Sequence, residues 1–125
     1  MAYRIKVLIV DDNSSITYSL EKGLKSISSQ YEIYQAHSGR DCLVNVQQHK
    51  PDIILLDIIM PDMDGWTVVE KLHTDKTYSN IPIIFITGKA DEISQVVGTM
   101  SVEDYIVKPI DIKDLDMRIR RILNR

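Results

Sequence analysis

With 125 residues the chain fits one domain, and two catalytic domains are excluded. Its make-up, 44% hydrophobic and 26% charged with four prolines and five glycines, excludes a disordered or fibrous chain, and a net charge of −3 supplies no basic field for gripping nucleic-acid phosphates, so no direct nucleic-acid partner is expected. The lone Cys42 excludes a disulfide and a thiolate zinc cluster, and the first apolar run is too short for a signal peptide or a membrane span; a cytoplasmic protein with no membrane partner is expected.

In chain order, an apolar run over 5–10 predicts a strand that stops at Asp11, and Ile16, Leu20, Leu24 and Ile27 then follow at helical spacing. A weaker strand is predicted over 31–36. Ser38 with Asp41 three residues on is a helix-start signal, and Leu43 and Val46 continue it. A strand over 53–56 ends at Asp57, and Val68, Val69 and Leu72 mark a third helix. The run over 82–86 leads to Thr87. Ile93, Val96, Val97 and Met100 predict a short fourth helix over 91–100, with Gly98 and Thr99 near its end, and it is expected to be mobile. A strand over 105–107 precedes Lys108, and Asp111 with Asp114 opens a fifth helix carrying Ile112, Leu115, Ile119 and Ile122. Pro51 and Pro82 precede apolar runs while Pro61 and Pro109 follow them, where a missing N–H leaves a central strand intact.

Five alternating strand–helix units with continuous apolar strands imply a parallel sheet with right-handed crossovers and helices on both faces, a three-layer α/β sandwich. Ligands of such sheets bind at the carboxyl ends of the strands. The residues there are Asp11 and Asp12, Asp57, Thr87 and Lys108. Singly, each is as easily a helix cap or a solvated charge. Together, three carboxylates at neighbouring strand ends repel unless a cation compensates them, and a hard divalent ion such as Mg²⁺ answers that need. A carboxylate left beside it, facing a hydroxyl and an ammonium, is placed to attack phosphorus and form an acyl phosphate; Asp57 is the central candidate.

The segments Val-Leu-Ile-Val-Asp-Asp-Asn (7–13), Leu-Leu-Asp-Ile-Ile-Met-Pro-Asp-Met-Asp-Gly (55–65), Ile-Thr-Gly (86–88) and Asp-Tyr-Ile-Val-Lys-Pro (104–109) resemble the response-regulator receiver domain over the whole chain. The resemblance implies a flavodoxin-like (βα)5 fold of strand order 2-1-3-4-5 over residues 1–125. It makes Asp57 the phosphoacceptor, taking its group from a histidine kinase or phosphotransfer protein. Asp11, Asp12, Asp57 and the Ile59 backbone carbonyl would hold Mg²⁺, Thr87, Tyr105 and Lys108 would form the switch, and the Lys108–Pro109 peptide would be cis. Such a protein is a regulator, an enzyme only toward its own phosphorylation and dephosphorylation. It is expected to be a stand-alone receiver or a piece of a larger regulator or hybrid kinase. Some receiver families dimerise through the fourth helix, fifth strand and fifth helix. Lys113, Arg118, Arg120, Arg121 and Arg125, set against Asp91, Glu92, Glu103 and Asp104, offer the opposite charges such a pairing uses, although a solvated helix face explains them equally well.

The chain departs from the family in having Ser101-Val102 before Glu103-Asp104, which bears on the shape of that loop. Ile59 and Lys89 fall at family-variable positions beside the site and are expected to tune the phosphate lifetime. Asp62 and Asp64 read as turn and helix-cap residues. His37, His49 and His73 read as surface residues away from the strands' carboxyl ends, and Trp66 as half-buried against a neighbouring helix. A haloacid-dehalogenase-like phosphatase needs Asp-x-Asp after the first strand, where this chain has an adjacent pair. A flavin or nucleotide carrier needs clustered glycines, and those at 23, 39, 65, 88 and 98 are dispersed.

Overall fold

The structure is a computed structural model and describes residues 3–88 and 102–124. Five strands, β1 (Ile5–Val10), β2 (Tyr31–Ala36), β3 (Ile53–Asp57), β4 (Ile83–Thr87) and β5 (Asp104–Val107), pair in parallel in the order β2-β1-β3-β4-β5. The described helices are α1 (Ser14–Ile27), α2 (Gly39–His49), α3 (Gly65–Thr74) and the C-terminal α4 (Ile112–Leu123). The helix predicted over 91–100 and the position of Lys89 lie outside the described residues. Asp57 and Thr87 are the last residues of their strands rather than the first beyond them, because parallel pairing continues one residue further: Asp57 is in register with Ile86 and Thr87 with Val107.

Alternation along the strands divides the core in two. Leu8, Val10, Ile54, Leu56, Ile83 and Phe85 face Cys42 and Val46 of α2 and Val68, Val69 and Leu72 of α3. Ile5, Val7, Ile9, Ile53, Leu55, Ile84 and Ile86 face Leu20 and Leu24 of α1 and Leu115, Ile119 and Ile122 of α4. The central strands β1, β3 and β4 are thus nearly dry on both faces, as their continuous apolar runs require, while β2 and β5 at the edges stay partly exposed. Burial pushes the Cys42 thiol up to about 12, with Asp41 adding to the rise, so it packs as a small apolar group.

The caps form where the side chains dictate. Asn13 accepts from the Ser15 N–H, Ser38 from Asp41, Asp64 from Thr67, and Asp111 from Lys113 and Asp114. The Asp41 carboxylate reaches back to the N–H of His37 rather than of Ser38. Trp66 is half-buried as expected, and it meets the Phe85 ring of β4 edge-on, with centroids 4.9 Å apart. His37 is exposed as expected, yet it follows the last residue of β2 directly and contacts the buried Thr17 hydroxyl (3.0 Å). His49, at the end of α2 and away from the strands' carboxyl ends, is half-buried and stacks on Tyr34 at 3.9 Å, because an edge strand leaves room for rings against it.

Candidate functional site

The site lies where three adjacent strands stop being apolar. Val10, Leu56 and Ile86 are buried, and the residues that follow them must satisfy polar groups at a nearly dry rim. Asp11 extends the β1 ladder, its N–H donating to the Ala36 carbonyl, and is 3% exposed. One carboxylate oxygen accepts the Asn13 N–H at 2.9 Å and the other accepts from the Lys108 ammonium at 2.9 Å. Asp12 is exposed at the mouth. Asp57, 7% exposed, lies between β1 and β4, with Lys108 Nζ 3.9 Å from its carboxylate. The Lys108 N–H donates to the Thr87 carbonyl at 2.7 Å, tying the loop after β5 to the end of β4.

One oxygen from each of Asp11, Asp12 and Asp57 lies within 4.8 Å of the others. Burial first, then the Asp11 charge, pushes the Asp57 carboxyl from 3.8 up to about 6. Lys108, and an N–H donated by Ile59, hold it down, while Asp12 adds to the rise. Among the described residues the Lys108 ammonium pairs with two of the three carboxylates, and it binds Asp11 more closely than Asp57. All-oxygen donors with excess negative charge fit a hard divalent cation.

Thr87 is fully buried at the end of β4, on the same strand face as Phe85, whose cross-strand partner is Tyr105. Tyr105 is 45% exposed. The Ile59 side chain projects into solvent at 59% exposure, although its N–H serves Asp57. The Lys108–Pro109 peptide is cis. Gly65 closes the turn after β3: its N–H donates to the Ile58 carbonyl at 2.6 Å, and a Cβ there would lie 2.9 Å from the Asp57 carbonyl oxygen and 3.0 Å from Phe85.

Residues 7–120 match the family described as the response regulator receiver domain. The chain belongs to the response-regulator receiver family of two-component signal transduction. The receiver is 40% identical over 121 residues to the "Probable transcriptional regulator ycf27" of Guillardia theta, covering 96% of this chain and 46% of that protein. It is 34% identical over 121 residues to the alkaline phosphatase synthesis transcriptional regulatory protein PhoP of Bacillus subtilis, covering 96% of this chain and 49% of that one. The receiver spans about half the length of these curated relatives. Among solved structures, a CheY-like receiver domain protein of Methanospirillum hungatei JF-1 superposes with a TM-score of 0.85 at 30% identity, covering 97% of this chain and 94% of that one. Among the described residues no helix is long and apolar enough to cross a membrane.

The sequence reading missed the reach of Asp62. Asp64 caps its own helix, but Asp62 accepts the Gly39 N–H at 3.0 Å and the Arg40 N–H at 3.1 Å, at the start of α2. These two N–H groups hold its carboxyl below the ordinary value. No local signal marks a bond across 22 residues of chain. The charges of the last helix largely close within the chain: Arg118 pairs with Asp104 at 3.0 Å and Asp114 at 3.0 Å, and Arg120 with Asp116 at 2.9 Å.

Proposed function

We propose that residues 1–125 form one receiver domain in which Asp57 accepts a phosphoryl group from the phosphohistidine of a histidine kinase or phosphotransfer protein. The observation that carries this reading is the placement of Asp57: buried at the end of a central strand, flanked by two further carboxylates, and within 3.9 Å of an ammonium. An Asp57 oxygen attacks phosphorus as the nitrogen–phosphorus bond of the donor breaks, and the leaving imidazole keeps the bonding electron pair. Lys108 stands between Asp11 and Asp57, so a phosphoryl oxygen arriving on Asp57 meets an ammonium already in the site. Asp11, Asp12, Asp57 and the Ile59 carbonyl are the ligands for Mg²⁺, which when bound neutralises charge on the phosphoryl oxygens.

Thr87 and Tyr105 carry the response. Drawing the Thr87 hydroxyl toward the phosphoryl group frees space on the strand face it shares with Phe85, toward which the exposed Tyr105 ring turns. The surface so changed includes β5 and α4, where pairing with a second copy of the chain would be regulated. The net charge of −3 supports a protein and not a nucleic-acid partner for this domain, and the reading places it in the cytoplasm.

The test is incubation with acetyl phosphate, with and without Mg²⁺, followed by intact-mass measurement. A single Mg²⁺-dependent phosphoryl adduct on the wild type and none on Asp57→Asn is expected; an undiminished adduct on the variant would overturn the assignment. With beryllofluoride and Mg²⁺, a phosphoryl mimic, the Tyr105 ring resonances should shift in the wild type and stay fixed in Thr87→Ala. Equal shifts in both would break the proposed coupling.

A further inference from the structure

We propose that Asp62 is a positioning residue for the acceptor site, clamping the loop that follows Asp57 onto the first turn of α2. The proposal rests on Asp57 being the phosphoacceptor.

The loop runs from Ile58 to Asp64 and is tied at its base twice, by the Ile59 N–H on the Asp57 carboxylate and by the Gly65 N–H on the Ile58 carbonyl. Its tip is exposed, with Pro61, Asp62 and Asp64 in solvent. A helix leaves its first N–H groups without internal partners. In α2 the Ser38 hydroxyl takes the one on Asp41, and the Asp62 carboxylate takes those on Gly39 and Arg40, one per oxygen. Met63 lies against the same turn. A Cβ on Gly39 would fall 2.9 Å from Met63 Cβ and 3.1 Å from its sulfur, so the close approach depends on glycine. Consecutive loop residues therefore dock on consecutive helix residues, with a negative group at the positive end of the helix.

Arg40 is exposed and its N–H could have been satisfied by water, so the bond sent to it from a distant loop fixes the loop more than the helix, while the buried Gly39 N–H needs the same carboxylate as its partner. What the two bonds fix is the segment holding Ile59, which supplies one N–H to Asp57 and whose carbonyl, under the proposed function, would be a ligand of the cation. Groups that orient ligands without touching the ion typically alter affinity without altering the ligand set.

The experiment compares wild type, Asp62→Ala, Asp62→Asn and Ser38→Ala. The last weakens the start of the same helix without touching the loop. Three quantities are read: the Ile59 amide resonance in metal-free protein, Mg²⁺ affinity by calorimetry, and the initial rate of phosphorylation by acetyl phosphate at saturating Mg²⁺. Asp62→Ala should move the Ile59 resonance, weaken Mg²⁺ binding by about 10-fold and slow phosphorylation, with Asp62→Asn, which keeps one acceptor oxygen, between it and wild type. Ser38→Ala should lower the melting temperature and leave all three unchanged. If Asp62→Ala behaves like Ser38→Ala, or if Ser38→Ala weakens Mg²⁺ binding equally, the clamp is overturned. If wild type takes up no phosphoryl group, the phosphoacceptor reading fails instead, and the metal-free Ile59 resonance still decides the clamp.

Discussion

The body of the sheet and its carboxyl rim are made by the same strands and obey opposite rules. From Ile53 to Leu56 every β3 side chain is fully buried against apolar neighbours, and burying each is worth about 1.5–3 kcal/mol. One residue later the same strand holds a carboxylate nearly out of water, beside two more, with the Lys108 ammonium shared between it and Asp11. The body stabilises the fold through contact area that needs no partner chemistry. The rim does the reverse, keeping a charge where the metal-free protein would be better without one. A rigid apolar body is what allows such a rim, since Asp57 cannot retreat into solvent without breaking its register with Ile86.

The largest expected effect on stability comes from the body. Leu55→Ala should cost about 2–5 kcal/mol in denaturant unfolding, because the cavity lies between α1 and α4 and the flanking strands hold it open. A cost below 1 kcal/mol, as a rough lower bound, would mean that the core closes over the gap.

At the rim the sign reverses. Metal-free Asp57→Asn should be more stable than wild type at pH 7.5 by roughly 1–3 kcal/mol. The folded state holds the Asp57 proton up to about pH 6, whereas its ordinary value is 3.8. Its favourable contribution is therefore complete below about pH 4 and is lost as pH rises through about 6, so the advantage of the Asn variant should shrink on acidification. Mg²⁺ should raise the melting temperature of wild type far more than that of the variant. Equal stability of the two metal-free proteins at pH 7.5 and pH 4.5 would show that the rim carries no uncompensated charge.

The smallest effect is expected away from both regions. Arg118→Ala removes two ion pairs and a bond to the Tyr105 carbonyl on a half-solvated surface, and should cost less than about 1 kcal/mol. A larger loss would place β5 and α4 among the elements that hold the rim in shape.

The fold and the polar strand ends were legible because both rest on short-range patterns. Runs of Ile and Val buried on two faces, helical spacing between them, and the four segments around Asp11, Asp57, Thr87 and Lys108 are all contiguous in the chain. The partners of Trp66, His49 and His37 were not, since ring contacts such as Tyr34 with His49 depend on how an edge strand sits against a helix. The pairing of Lys108 with Asp11 rather than Asp57 was likewise invisible, because it turns on a difference of 1.0 Å, 3.9 less 2.9, between groups 97 residues and 51 residues apart in sequence.

The sequence by itself determined the parallel sandwich, the caps at Ser38, Asp64 and Asp111, and the set of charged residues delivered to one edge of the sheet. Periodicity and capping are local, and parallel strands must all present their ends on the same side. Tertiary structure alone decided how those charges divide among themselves: which carboxylate receives the ammonium, which is left with a raised proton affinity, and that Asp62 leaves its own turn to hold α2. Each depends on separations of a few ångströms between distant parts of the chain, and both Coulomb energies and hydrogen bonds change steeply over that range in a site with little water.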